Sequence, residues 1–240
     1  MALVTEIRLW HQKYTAARED AALLAHLVDQ SLTQCRRVLE ILEVRLAELG
    51  YPVTSLILEP ETDQELRIAR VEAVTQREVP IVLKQLWRTL GGISFIDVDD
   101  YSHCEFWGRL GIEGAHGFCD GVYVDACSQE WLDYTLEDFE ACQSDNTDSE
   151  FLYSFAPDGY HKDDISGGDP YGLRGEGWLA EVVFFSWSGK RVPESAPAFP
   201  LDLLGYLWTS ILECGGFPGL LGHPKFEPIR EKLVAGLPLF

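Results

Sequence analysis

The most informative stretch of the chain covers residues 155–171 and reads FAPDGYHKDDISGGDPY. Its prolines fix the backbone φ angle, its glycines permit positive φ, and its aspartates can accept hydrogen bonds from nearby backbone N–H groups. Apolar runs lie on both sides of it. This density of turn-forming residues predicts one elaborate loop between strands, with structural roles for Asp158, His161, Asp164, Gly167, Gly168, Pro170 and Tyr171.

The same loop carries side chains that could bind a divalent metal or transfer protons, namely Asp158, His161, Asp163 and Asp164. Their spacing matches no metal-binding signature. We favour a network in which the carboxylates accept backbone N–H bonds and Lys162 neutralises one of them. The sequence therefore predicts neither a metal nor another cofactor in the loop.

Two further segments contain proline and glycine residues that mark the ends of predicted helices. Residues 79–95, VPIVLKQLWRTLGGISF, predict a helix that begins after Pro80, ends at Gly91-Gly92 and is followed by a strand. Residues 199–208, FPLDLLGYLW, predict a late helix, and the sequence GGFPG at 215–219 predicts the break that follows it.

With these three segments in this order, roughly residues 62 to 222 of the chain resemble the SUKH superfamily. That group includes the yeast cell-wall-synthesis regulators and many bacterial toxin-immunity proteins. The resemblance implies a strongly bent sheet of about six strands with helices beside it. It also implies that the loop is a hallmark of the fold and not a catalytic site.

The segment before the resemblance predicts helix over residues 5–49, because leucine and valine recur there at three- and four-residue steps. Gly50-Tyr51-Pro52 ends the helix. We therefore divide the chain into a helical extension, residues 1–52, and a SUKH-like domain, residues 53–240, and expect the domain to fold without the extension. The apolar stripe is expected to pack on the domain, with self-association or partner contact as alternatives.

The order of the elements indicates the fold class. Helices come first, strand candidates follow at residues 93–98, 121–125, 150–155 and 179–187, and helices return after residue 200. This order predicts an α+β fold with an antiparallel or mixed sheet covered by helices on one face. The resemblance implies in addition that the sheet is bent and has about six strands flanked by helices.

The charge of the chain limits its partners. Asp and Glu number 39 against 19 Lys and Arg, a formal net charge of −20, which repels nucleic-acid phosphates and anionic membrane surfaces. Six cysteines without a CxxC pair, no signal-peptide pattern and no long apolar run indicate a cytoplasmic protein. The charge favours a basic protein partner, although an acidic surface that only promotes solubility is the alternative.

Aromatic residues alternate with carboxylates in two stretches of the chain. Aromatic side chains supply desolvated contact area and carboxylates steer a basic partner, so we predict a partner-binding surface. Its residues are Trp107, Trp131, Asp133, Tyr134, Glu137, Asp138 and Glu140. The alternative is ordinary amphipathicity, with the aromatics in the core and the carboxylates in water.

The sequence contains no nucleophile elbow, phosphate-binding loop or dinucleotide fingerprint. We therefore expect a binding protein and not an enzyme, and the resemblance implies an immunity protein that neutralises a basic toxin, such as a nuclease, by direct binding. A regulatory scaffold that recruits cellular proteins is the second hypothesis. A metal-dependent enzyme is the third.

Overall fold

A computed structural model of the chain describes residues 9, 12–17, 19–52, 55–96, 102–112, 121–144, 150–156, 171–178, 180–183 and 202–240. Residues 12–17 are helical. A π-helix, Trp208–Glu213, and a 3-10 helix, Pro218–Leu220, lie between the last two α-helices. The α-helices and strands are α1 Ala21–Glu48, β1 Ile57–Leu58, α2 Gln64–Thr75, α3 Ile81–Leu90, β2 Gly92–Ser94, α4 Ser102–Arg109, β3 Tyr123–Val124, α5 Gln129–Ser144, β4 Tyr153–Ala156, β5 Tyr171–Arg174, β6 Glu181–Val183, α6 Leu203–Leu207 and α7 Glu227–Val234.

The predicted α+β class is confirmed, but the prediction of one sheet of about six strands is wrong. The strands form two three-stranded antiparallel sheets, in the orders β1-β2-β3 and β4-β5-β6. The sheets approach each other just after β3, where the Asp125 N–H donates a 2.7 Å hydrogen bond to the carbonyl oxygen of Phe155 in β4. These strands are only two to four residues long, which leaves no continuous ladder between β3 and β4.

Helix α1 forms part of the core. Asp20 caps it by accepting a 3.0 Å hydrogen bond from the N–H of Leu23, and Gly50, with φ of +76°, follows its end. The buried stripe is Leu24, Val28, Ser31, Leu32, Cys35, Val38, Leu39, Leu42 and Leu46. Its apolar members belong to the same cluster of buried residues as Ile93 and Phe155. The stripe therefore packs on the rest of the chain, as expected, and the division at residue 52 stays a prediction that the truncation described below tests.

Helix α3 ends as the sequence predicts, and the reason is a close approach of two backbones. Gly91 has φ of +74°, and a Cβ atom there would lie 1.7 Å from the carbonyl oxygen of Leu58 in β1. Only glycine fits at such a contact. The tight turn lets β2 begin at Gly92 and pair with β1 directly after the helix.

Strands β4 and β5 frame the loop that the sequence analysis singled out. Ala156 at the end of β4 pairs with Tyr171 at the start of β5. Tyr171 is buried, with its ring centroid 6.4 Å from that of Phe155. The other residues predicted to stabilise the loop, Asp158, His161, Asp164, Gly167, Gly168 and Pro170, lie outside the described residues.

Candidate protein-binding surface on helix α5

Of the seven residues predicted for partner binding, five lie on the solvent-facing side of helix α5 or at the margin of that side. Ser128 begins the helix as its cap, since its hydroxyl accepts a 3.0 Å hydrogen bond from the N–H of Trp131. Three side chains of the helix are buried, those of Trp131, Leu132 and Thr135. This narrow buried stripe leaves the opposite side of a 16-residue helix in solvent.

Trp131 fixes the helix to the rest of the protein. Its ring packs edge-on against Trp87 of α3, with centroids 4.6 Å apart, and its Nε1 donates a 2.8 Å hydrogen bond to the carbonyl oxygen of Ser154 in β4. The side chain is 4% exposed. Trp131 therefore holds α5 in place and offers no contact area to a partner.

Trp107 is also in the core. It lies in α4, is fully buried, and packs against the rings of Tyr51, Phe106, Phe217 and Phe226 at centroid distances of 4.9 to 5.6 Å. Both tryptophans were expected among the contact residues, and the structure places them inside because each indole completes an aromatic cluster. Both side chains therefore lie in the core, as the alternative of ordinary amphipathicity predicts.

Four of the remaining predicted residues come together on one face with Glu130, which was not predicted. Glu130, Asp133, Tyr134, Glu137 and Glu140 follow one another at three- and four-residue steps along α5, and all are exposed. We call these five residues the acidic face. Tyr134 is 45% exposed at its centre, while Asp138 is half-buried at its margin.

Several glutamates outside α5 pair with arginine or lysine, whereas others, such as Glu48, make no ion pair among the described residues. The pairs are Arg36–Glu59, Arg67–Glu61, Lys84–Glu72, Lys84–Glu78, Arg88–Glu65, Arg174–Glu150, Arg174–Glu181 and Arg230–Glu227.

Helix α5 itself contains no lysine or arginine. Within the described ranges, Glu130, Asp133, Glu137 and Glu140 make no ion pair, and Asp133 instead accepts a 2.8 Å hydrogen bond from the amide of Gln129. Like charges three and four residues apart destabilise a helix, and a carboxylate near its C-terminus opposes the helix dipole. The acidic face therefore costs the free protein stability.

One carboxyl group next to the candidate surface escaped the sequence analysis. Asp125 precedes α5, and its main chain joins three elements: its N–H bonds to Phe155, and its carbonyl oxygen accepts a 2.7 Å hydrogen bond from Trp87 Nε1. Burial raises the pKa of its carboxyl to about 7, a hydrogen bond with Tyr123 partly opposes this shift, and the negative charge of Glu130 adds to it. Nothing in the sequence around an aspartate after a short strand signals such a shift.

Other chemistry is not assembled in the described part of the chain. It brings together no group of three or more His, Cys, Asp or Glu side chains able to hold a metal ion. The Cys35 and Cys127 thiols are buried, and burial raises the pKa of Cys127 to about 12, so this thiol is protonated near neutral pH.

Comparison with known proteins adds no identification. The chain matches no protein-family model, no curated protein and no solved structure. Among the helices that the structure describes, none combines the length and apolarity needed to cross a membrane. The resemblance to the SUKH superfamily therefore rests on the three sequence segments alone.

Proposed function

We propose that this protein is a cytoplasmic, non-enzymatic binding protein of the SUKH type that neutralises a basic protein partner. The partner class that suits it best is a basic toxin, such as a nuclease, which an immunity protein would occlude by direct binding. The observation that carries the proposal is the acidic face of α5. Its four carboxylates lie on one side of a helix that contains no lysine or arginine, and among the described residues they make no ion pair.

In this mechanism, charge sets the association rate and contact area sets the dissociation rate. The exposed carboxylates would attract a basic partner over about one Debye length, roughly 10 Å at 0.1 M salt, and accelerate association. Tyr134, exposed at the centre of the face, would supply desolvated contact area and slow dissociation. Trp131 contributes indirectly, because its packing and its hydrogen bond to Ser154 keep the helix rigid before binding.

The partner is sought first among the products of reading frames that adjoin the gene. A small basic toxin-like product supports the immunity function, and its absence favours the scaffold hypothesis. The binding test is stopped-flow kinetics of the purified protein with that product, over a range of salt concentrations.

Three variants separate the contributions. Glu137→Lys should lower the association rate, and Tyr134→Ala should raise the dissociation rate with little change in association. Glu231→Lys, an equal charge change on an exposed residue of α7, is the matched control and should leave both rates nearly unchanged. An acidic partner, or an association rate that ignores both salt and Glu137→Lys, would remove the basis for the proposal.

A further inference from the structure

The outer side of α1 carries an exposed apolar pair. One side of the helix faces the core, and the opposite side presents an open surface region lined by Arg37, Glu40, Ile41, Val44, Arg45 and Glu48. Val44 is 60% exposed there and Ile41 is half-buried beside it. Arg37 and Glu48 flank this pair along the helix, and we call these four residues the α1 outer face.

The α1 outer face is complementary to a second copy of itself. Residues 37, 41, 44 and 48 follow a 4-3-4 spacing, which places them in one stripe. When two copies of a helix lie antiparallel about a two-fold axis, residues at equal distances on either side of the axis face each other. An axis between residues 42 and 43 sets Ile41 against Val44 of the second copy, and Arg37 against Glu48 of the second copy. Symmetry makes each contact twice.

Neither charged residue of this face has an ion-pair partner among the described residues. In the ranges that the structure describes, neither Arg37 nor Glu48 makes an ion pair, and Arg37 donates a 3.3 Å hydrogen bond to the side-chain oxygen of Gln34. The two residues cannot pair with each other in one copy, because eleven positions along a helix separate them by about 16 Å. Both are exposed, so a second copy could reach them.

We propose that the α1 outer face is the interface of a weak, antiparallel homodimer. This inference is independent of the proposed function, since it uses a different helix and leaves the acidic face of α5 to the partner. The contact spans about 18 Å of helix, so it buries on the order of a few hundred Å² per copy, below the roughly 800 Å² of a standard interface. The net charge of −20 on each copy adds repulsion, so association should be stronger at moderate salt than at very low salt.

Sedimentation velocity of the full chain over a concentration series, at about 0.15 M salt, tests the proposal. We expect a reversible monomer–dimer equilibrium that Val44→Asp weakens at least about tenfold, because symmetry places the new charge in the contact twice. Val74→Asp is the matched control, since Val74 is 46% exposed on α2, and it should leave the dissociation constant unchanged. Circular dichroism confirms that both variants are folded.

Charge reversal tests the register. Arg37→Glu and Glu48→Arg should each weaken the dimer severalfold, although they change the net charge in opposite directions. The combined variant Arg37→Glu/Glu48→Arg restores the pair with its signs exchanged and should return the dissociation constant to within about threefold of the original. A chain that stays monomeric at about 0.5 mM, a dimer indifferent to Val44→Asp, or no rescue in the combined variant would each overturn the proposal.

Discussion

Replacing Glu137 with lysine should stabilise the free protein. Glu137 is exposed, four residues after Asp133 and three before Glu140 on the acidic face. The substitution removes two like-charge pairs and creates two opposite-charge pairs, and each of these four changes is worth about 0.2–0.5 kcal/mol. The free energy of unfolding should therefore rise by roughly 1–2 kcal/mol at low salt. For a chain of this length, each kcal/mol corresponds to about 2–4 °C in Tm.

Urea and thermal unfolding, followed by circular dichroism at about 0.05 M and 1 M salt, measure this gain. The gain should shrink at high salt, where the Debye length is about 3 Å. The contrasting variant is Glu65→Lys, which loses hydrogen bonds of 2.7 and 2.8 Å to Arg88 and should be destabilised. A lower free energy of unfolding for Glu137→Lys, or a gain in that free energy that does not depend on salt, would refute the view that like-charge repulsion in the acidic face destabilises the free protein.

Two other expectations concern the core and the pH dependence. Leu39→Ala should lower the free energy of unfolding in urea by about 2–5 kcal/mol, because Leu39 is fully buried. Contrary to the expectation from the sequence, removing residues 1–52 should abolish cooperative unfolding, because the α1 stripe belongs to the main cluster of buried residues. A truncated chain that still melts cooperatively would show that α1 is dispensable. Asp125 holds its proton more tightly when folded, so its contribution to stability is fully present below about pH 4 and is lost as pH rises towards about 7. Asp125→Asn should lack that component, and pH profiles that coincide for the two proteins would contradict an enclosed carboxyl.

Several local features could be read from the sequence because neighbouring residues impose them. The end of α3 is an example, since glycine at position 91 permits the positive φ at which a helix commonly ends. The amphipathic pattern of α1 is another, because helical spacing alone aligns its leucines. The α+β class followed from the order of such elements.

The candidate site was predictable only in part. The spacing of Asp133, Tyr134, Glu137 and Glu140 places them on one side of a helix whatever the fold. Trp131 lies in the same helix, yet its side chain faces Trp87 and Ser154, which are distant in sequence. An aromatic residue beside carboxylates satisfies both a surface and a core pattern, and only the packing partners distinguish them.

The sequence by itself determined the ends of α1 and α3, the apolar side of α1 and the excess of negative charge, because backbone preferences and side-chain spacing act over a few residues. The tertiary structure alone decided that the strands form two sheets, that Trp107 and Trp131 are buried, and that the surroundings of Asp125 raise the pKa of its carboxyl. Each of these outcomes depends on contacts between segments far apart in the chain, and hydrophobic burial, which drives them, has no direction and names no partner.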